Sequence, residues 1–209
     1  GVPWTRTTLG RTTEAWFRWL DDGLPADSLR ALMESGVFDA SRWGAASSSA
    51  LPPVRLFRRL QIGWGRARYD AALTDLEAGG VLRDLRPRDE ETPEDFELRR
   101  GKEIADEKAL ATFLRALLAV TPPAPERGAT VSPTLSVSAL CKATRQFLDL
   151  LAVAEGTAEG HLLARLRSRL LQLSEVPAKP VPFGRALAEV RTTLDDLRAW
   201  TEPMFARKP

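Results

Sequence analysis

The chain has 209 residues, 44% of them apolar, with 30 basic against 28 acidic side chains and a formal net charge of +2. That length allows one large domain or two small ones around a buried core, and the near balance of charge argues against a chain-wide nucleic-acid coat. The single cysteine, Cys141, excludes an internal disulfide and a cysteine-based zinc site.

No apolar stretch approaches the roughly 20 residues needed to span a bilayer, and no secretory signal opens the chain. The start at Gly1-Val2-Pro3-Trp4 lacks an initiator Met, and Phe205-Ala206-Arg207-Lys208-Pro209 carries no terminating feature. The expectation is a piece cut from a longer cytoplasmic protein.

Helical periodicity dominates. Thr12-Thr13 is a candidate N-cap, and Trp16, Phe17, Trp19 and Leu20 form an apolar stripe that ends near Gly23. Pro25 opens a second helix with Leu29, Leu32 and Met33 at helical spacing, and Gly36 stops it. Residues Arg42 to Ser49 read as an Ala/Ser/Gly-rich loop. Pro52-Pro53 begins a helix carrying Val54, Leu56, Phe57 and Leu60, which Gly63-Trp64-Gly65 breaks. The next helix is predicted over Arg66 to Glu77, ended by Gly79-Gly80, and Arg83 to Glu91 reads as a solvated charged loop.

Thr92-Pro93-Glu94 is a helix start, with Thr as cap and Pro in the first turn. The helix is expected to reach Val120 with an apolar face of Ile104, Leu110, Phe113, Leu114 and Leu117 and charges opposite, although Gly101 allows a break. Pro122 to Pro133 is a long Pro/Gly linker and the best internal boundary. It divides an N-terminal helical subdomain, 1–121, from a C-terminal one, 134–209, the two packed as one domain. Three more helices are expected, over Ser136 to Ala154, from Thr157 to Leu173, and over Phe183 to Thr201. No period-two pattern of useful length occurs, so no sheet is expected. The fold class is all-α, an irregular multi-helix bundle of about 7–9 helices.

No chemistry of a standard kind is visible. There is no phosphate-cradling Gly-rich loop with Lys, and Gly63-Trp64-Gly65 supplies only two of the three glycines of a dinucleotide motif. His161 is the sole histidine, with no nucleophile elbow near it, and reads as a surface side chain. Carboxylates cluster at Asp89-Glu90-Glu91, Glu94-Asp95 and Asp195-Asp196; the first two read as a solvated loop and favourable charge at a helix N-terminus, and the string Asp84-Leu85-Arg86-Pro87-Arg88-Asp89-Glu90 lacks the strand on which a two-metal nuclease site is built. No catalytic residue, metal site, cofactor or small-molecule substrate is predicted.

The basic residues are more informative: 25 of the 30 are Arg. A GC-rich genome accounts for this, and so does phosphate contact by some of the arginines, since the guanidinium fork suits phosphate. The candidate DNA-binding set is Arg55, Arg58, Arg59, Gly63, Gly65, Arg66 and Arg68. Arg55 and Arg59 share a helix face, and a glycine-broken turn between two helices exposes N–H groups that suit a backbone phosphate. Ordinary salt-bridged surface is the competing account. A second cluster, Arg165, Arg167 and Arg169, is spread around its helix.

The stretch Gly1-Val2-Pro3-Trp4-Thr5-Arg6-Thr7-Thr8-Leu9-Gly10-Arg11, with the Leu29-Arg30-Ala31-Leu32-Met33-Glu34-Ser35 helix after it, resembles AddB-like and RecB-like helicase–nuclease chains of the PD-(D/E)XK type. In those chains a "G-I-P…T-P-x-G-R" segment leads into the second accessory (2B-type) domain. Ile62-Gly63-Trp64-Gly65-Arg66-Ala67-Arg68-Tyr69 is similar to their "I-G-W-G-R-x-R-Y" stretch, and Gln61-Ile62-Gly63 is the nearest match to a Gly-Ile-Gly turn that touches duplex backbone in related helicases. The resemblance spans residues 1 to about 80. It implies a non-catalytic accessory domain that contacts duplex DNA or a partner subunit, with the ATP site and nuclease motifs elsewhere in the parent. The alternative is a helical protein–protein interaction module with no nucleic-acid role.

Overall fold

A computed structural model describes residues 2–38, 54–80, 83, 85–154, 156–195 and 197–199. The expected Arg42 to Ser49 loop and the Pro52-Pro53 helix start lie outside the described residues. Eight α-helices are present among the described residues: α1 (Thr8–Asp21), α2 (Ala26–Glu34), α3 (Val54–Arg59), α4 (Arg66–Glu77), α5 (Pro93–Val120), α6 (Val137–Leu148), α7 (Ala158–Ser174) and α8 (Phe183–Asp195). The chain is predominantly all-α, as its periodicity predicts.

Helix α1 starts earlier than expected. Thr7, not Thr12 or Thr13, is the cap, and its hydroxyl accepts the Gly10 N–H at 3.0 Å. Thr12 and Thr13 are buried inside the helix, where the Thr13 hydroxyl donates back to the Leu9 carbonyl at 2.8 Å. Gly10 explains the early start. A Cβ there would lie 1.9 Å from the Trp4 carbonyl oxygen, so only glycine lets the 3-10 turn Trp4–Arg6 fold onto the helix.

Helices α2, α4 and α5 lie where the sequence places them. Thr92 caps α5 by accepting the Asp95 N–H at 3.1 Å, and Pro93 occupies the first turn. The helix passes Gly101 without a break for 28 residues. Its buried side, however, is not purely apolar. Glu103 and Glu107 sit one turn apart on the same stripe as Leu110, Leu114 and Leu117, and both are buried.

Two helices end sooner than their periodicity suggests. α6 stops at Leu148 because the following chain turns away to meet the segment after α2. Phe38 and Leu151 form an antiparallel bridge, and the Ala152 N–H donates to the Val37 carbonyl at 2.8 Å. α8 stops at Asp195 because Arg198–Ala199 (β4) pairs antiparallel with Val2–Pro3 (β1). A second two-residue pair joins Thr134–Leu135 (β2) to Val181–Pro182 (β3), leading into α6 and α8. The expectation of no sheet is corrected by these two two-stranded pairs, which are too short to show a period in sequence.

One contiguous core draws on both sides of the Pro122–Pro133 segment. Trp16 of α1 stacks on Phe147 of α6 with ring centroids 4.7 Å apart, and Phe38 packs edge-on against Phe113 of α5 at 4.9 Å. Polar ties also cross the segment: Arg191 pairs with Glu14 at 3.1 Å, and the Thr8 N–H donates to Glu159 at 2.9 Å.

Candidate nucleic-acid interface

Helices α3 and α4 are joined by a sharp connection in which Gln61, Gly63 and Gly65 all have positive φ. Glycine tolerates that conformation at little cost. One of the N–H groups of this turn is already engaged within the fold. The Gly65 N–H donates to the Gly23 carbonyl at 3.0 Å, and the Gly63 carbonyl accepts the Ala26 N–H at 2.7 Å. Gly63 and Gly65 therefore clamp the α1–α2 connection. Trp64 between them is half-exposed, with the Arg127 guanidinium 4.8 Å over its ring.

The five arginines of the candidate set diverge. Arg55 bonds to buried Glu103 of α5. Arg58 pairs with Glu34 of α2 at 2.7 Å. Arg66 pairs with Asp70 at 3.0 Å and donates to the Leu118 carbonyl at 2.8 Å. These three hold helices to one another. Arg59 and Arg68 turn instead toward a common groove of about 760 Å³.

That groove gathers five arginines from separate elements. Arg59 comes from the end of α3, Arg68 from α4, Arg86 and Arg88 from the loop before α5, and Arg99 from α5 itself. Leu60, Ile62, Ala71, Ala72 and Leu85 supply its apolar part, and Asp75 is the one acidic lining residue among the described residues. The loop arginines were legible in sequence only as solvated charge, because nothing local shows that α5 folds back beside α4. The contact between α4 and α5 is what makes them neighbours.

The arginines differ in how far they are committed. Arg99 is held by Glu91 through a two-pronged bond, Nε to Oε1 at 2.7 Å and Nη2 to Oε2 at 2.7 Å, and also reaches the Arg86 carbonyl at 2.8 Å. This fork, and the Arg88 backbone N–H, hold the Glu91 carboxyl down to about 2. Arg59 lies 4.0 Å from the Oε2 of Glu103, a buried oxygen with no hydrogen bond. Arg86 caps its own loop through the Arg83 carbonyl at 3.1 Å. The side chains of Arg68 and Arg88 are exposed and make no hydrogen bond or ion pair among the described residues, although the charge of Glu91 reaches Arg88.

Elsewhere, His161 is exposed on α7. Arg167 of the second cluster pairs with Asp149 at 2.6 Å. No cluster of three metal-ligating side chains occurs among the described residues, and no described helix is long and apolar enough to cross a membrane. Comparison with protein-family models, with curated proteins and with solved structures finds no match to this chain.

Proposed function

We propose that this chain is a non-catalytic accessory module of a helicase–nuclease-like DNA-processing protein and that it contacts the DNA backbone through the arginine groove. The observation that carries this reading is the convergence of Arg59, Arg68, Arg86, Arg88 and Arg99 on one open groove. Their acidic neighbours are fewer: Asp75 in the lining, and Glu91 and Glu103 holding Arg99 and Arg59. No aromatic ring lines the groove among the described residues, which suits phosphate contact better than base stacking. The resemblance of residues 1 to about 80 to helicase–nuclease accessory domains supports the same reading.

The test is a fluorescence-anisotropy titration with a short duplex at two or more salt concentrations. With only Arg68 and Arg88 uncommitted, log K should fall with log salt at a slope of about −2. Replacing both by Ala should remove that binding. Unchanged binding by the double variant would place the contact elsewhere.

A second reading, a protein-interaction module, is favoured by one feature. Trp64 stands half-exposed on a turn hydrogen-bonded to the α1–α2 connection, beside the Pro122–Pro133 segment, whose backbone at Pro125 and Arg127 lies against Gly23. Binding that survives in high salt and is lost on Trp64→Ala would select this reading.

A further inference from the structure

Arg88 to Glu91 forms a turn closed by the Glu91 N–H donating to the Arg88 carbonyl at 3.1 Å. Glu90 within it has φ +68, a left-handed conformation that a non-glycine residue adopts at some cost. The turn swings the Glu91 carboxylate back over its own start. There Oε2 accepts the Arg88 N–H at 3.0 Å while both oxygens take the fork of Arg99. A backbone N–H and a guanidinium fork converging on two oxygens is the donor set that binds a phosphate. Both donor residues line the groove.

We infer that the Arg88 N–H and the Arg99 fork form a second phosphate seat at the wall of the groove, and that the Glu91 carboxylate, which does not itself line the groove, occupies it as an internal surrogate for a phosphate. The groove then has two seats of different kind. The first, at the uncommitted Arg68 and Arg88 guanidiniums, is open to an incoming phosphate. The second opens only when Glu91 gives way. Glu91 thus sets how many phosphates of a phosphodiester chain the groove neutralises. This rests on the DNA-backbone reading for its ligand, but the seat itself is defined by any phosphate.

The full chain and its Glu91→Gln variant decide the matter. The variant keeps the side-chain shape and removes the charge that competes with phosphate. It should bind a short duplex roughly fivefold more tightly than the native chain at low salt, the effect of one lost charge-assisted competitor. Its salt slope should steepen by about 1, one further phosphate neutralised. Pyrophosphate should shift the Arg99 Nε–Hε NMR resonance in the variant, whereas in the native chain it should shift Arg68 first. A variant that melts like the native chain but shows the same affinity, slope and Arg99 resonance overturns the inference. If the variant is unfolded, the native titration decides alone, and Arg99 moving before Arg68 overturns it. If neither chain binds duplex but pyrophosphate still moves Arg99 in the variant, the seat stands and the DNA reading falls.

Discussion

Trp19 donates its indole N–H to the hydroxyl of Tyr69 at 3.3 Å, with the two rings edge-on and 5.8 Å apart. Both side chains are fully buried, so this one bond ties α1 to α4 where neither donor nor acceptor has access to water. It fixes the helix that carries Arg68 to the helix that opens the fold.

Tyr69→Phe leaves the Trp19 N–H buried and unpaired. The expected loss is about 1–3 kcal/mol of unfolding free energy, read from urea denaturation. Burial also pushes the Tyr69 hydroxyl well above its ordinary value of 10.0. A raised value means stability that is complete below about pH 10 and falls as the unfolded chain ionises above it. The native chain should therefore lose stability in base more steeply than the Phe variant.

Gly10 and Gly101 both sit inside helices, yet replacing them by Ala should act in opposite directions. At Gly10 the new methyl meets the Trp4 backbone at 1.9 Å, and about 3 kcal/mol should be lost. At Gly101 nothing lies within 4 Å, so Ala should stabilise α5 by about 0.5–1 kcal/mol. Paired denaturation curves check both signs.

Arg55 is a structural cation. Its loss leaves the carboxylate of Glu103, which is 3% exposed, with no hydrogen bond from a cation among the described residues and only Arg59 at 4.0 Å. Arg55→Ala should cost about 2 kcal/mol, a value held down because Arg55 itself is half-exposed. Duplex affinity of the folded fraction should be unchanged, which an anisotropy titration at fixed temperature would show. Charge reversal at Arg55 is for the same reason a poor probe of DNA binding.

The Glu91 carboxyl is held from its ordinary 4.5 down to about 2 by the Arg99 fork first and the Arg88 N–H second. A lowered value means that the stabilisation is present above about pH 4.5 and is lost as the pH falls toward 2. The difference in stability between the native chain and Glu91→Gln should be constant at neutral pH and shrink across that acid window, as followed by urea denaturation at each pH.

Cys141 is fully buried, and burial pushes its thiol up to about 12. The thiolate is the reactive form, so the native chain should resist thiol reagents at pH 8 and react fully only in denaturant.

Much of the fold was legible because it depends on local rules. The Thr92 cap, the Pro93 first turn and the glycines that follow α2 and α4 are signals carried by single residues, and the helices they bound lie where expected. The errors fell where a distant partner decides. Thr12 and Thr13 look like a cap until Gly10 lets the Trp4 carbonyl approach. The ends of α6 and α8 are set by pairing with residues 37–38 and 2–3, which no local pattern reveals. The site divides in the same way. Arg59 and Arg68 belonged to the expected set, but Arg86, Arg88 and Arg99 join them only through the packing of α5 on α4. Arg55, Arg58 and Arg66 were drawn away by carboxylates on other turns or helices, and Gly65 by a carbonyl in the α1–α2 connection.

The pairing of β1 with β4 has a mechanical meaning. Val2 faces Ala199 and Pro3 faces Arg198, so tension applied across residues 2 and 199 meets the strand pair end-on. The pair then opens like a zipper, one bond after another, and not by the simultaneous shear of all its bonds. The next link inward is the Trp4 N–H on the Leu197 carbonyl at 3.3 Å, beside an indole ring sealed in the core. A pull along the chain should therefore part the strands at low force and stall at Trp4, leaving the helices that carry the arginine groove intact.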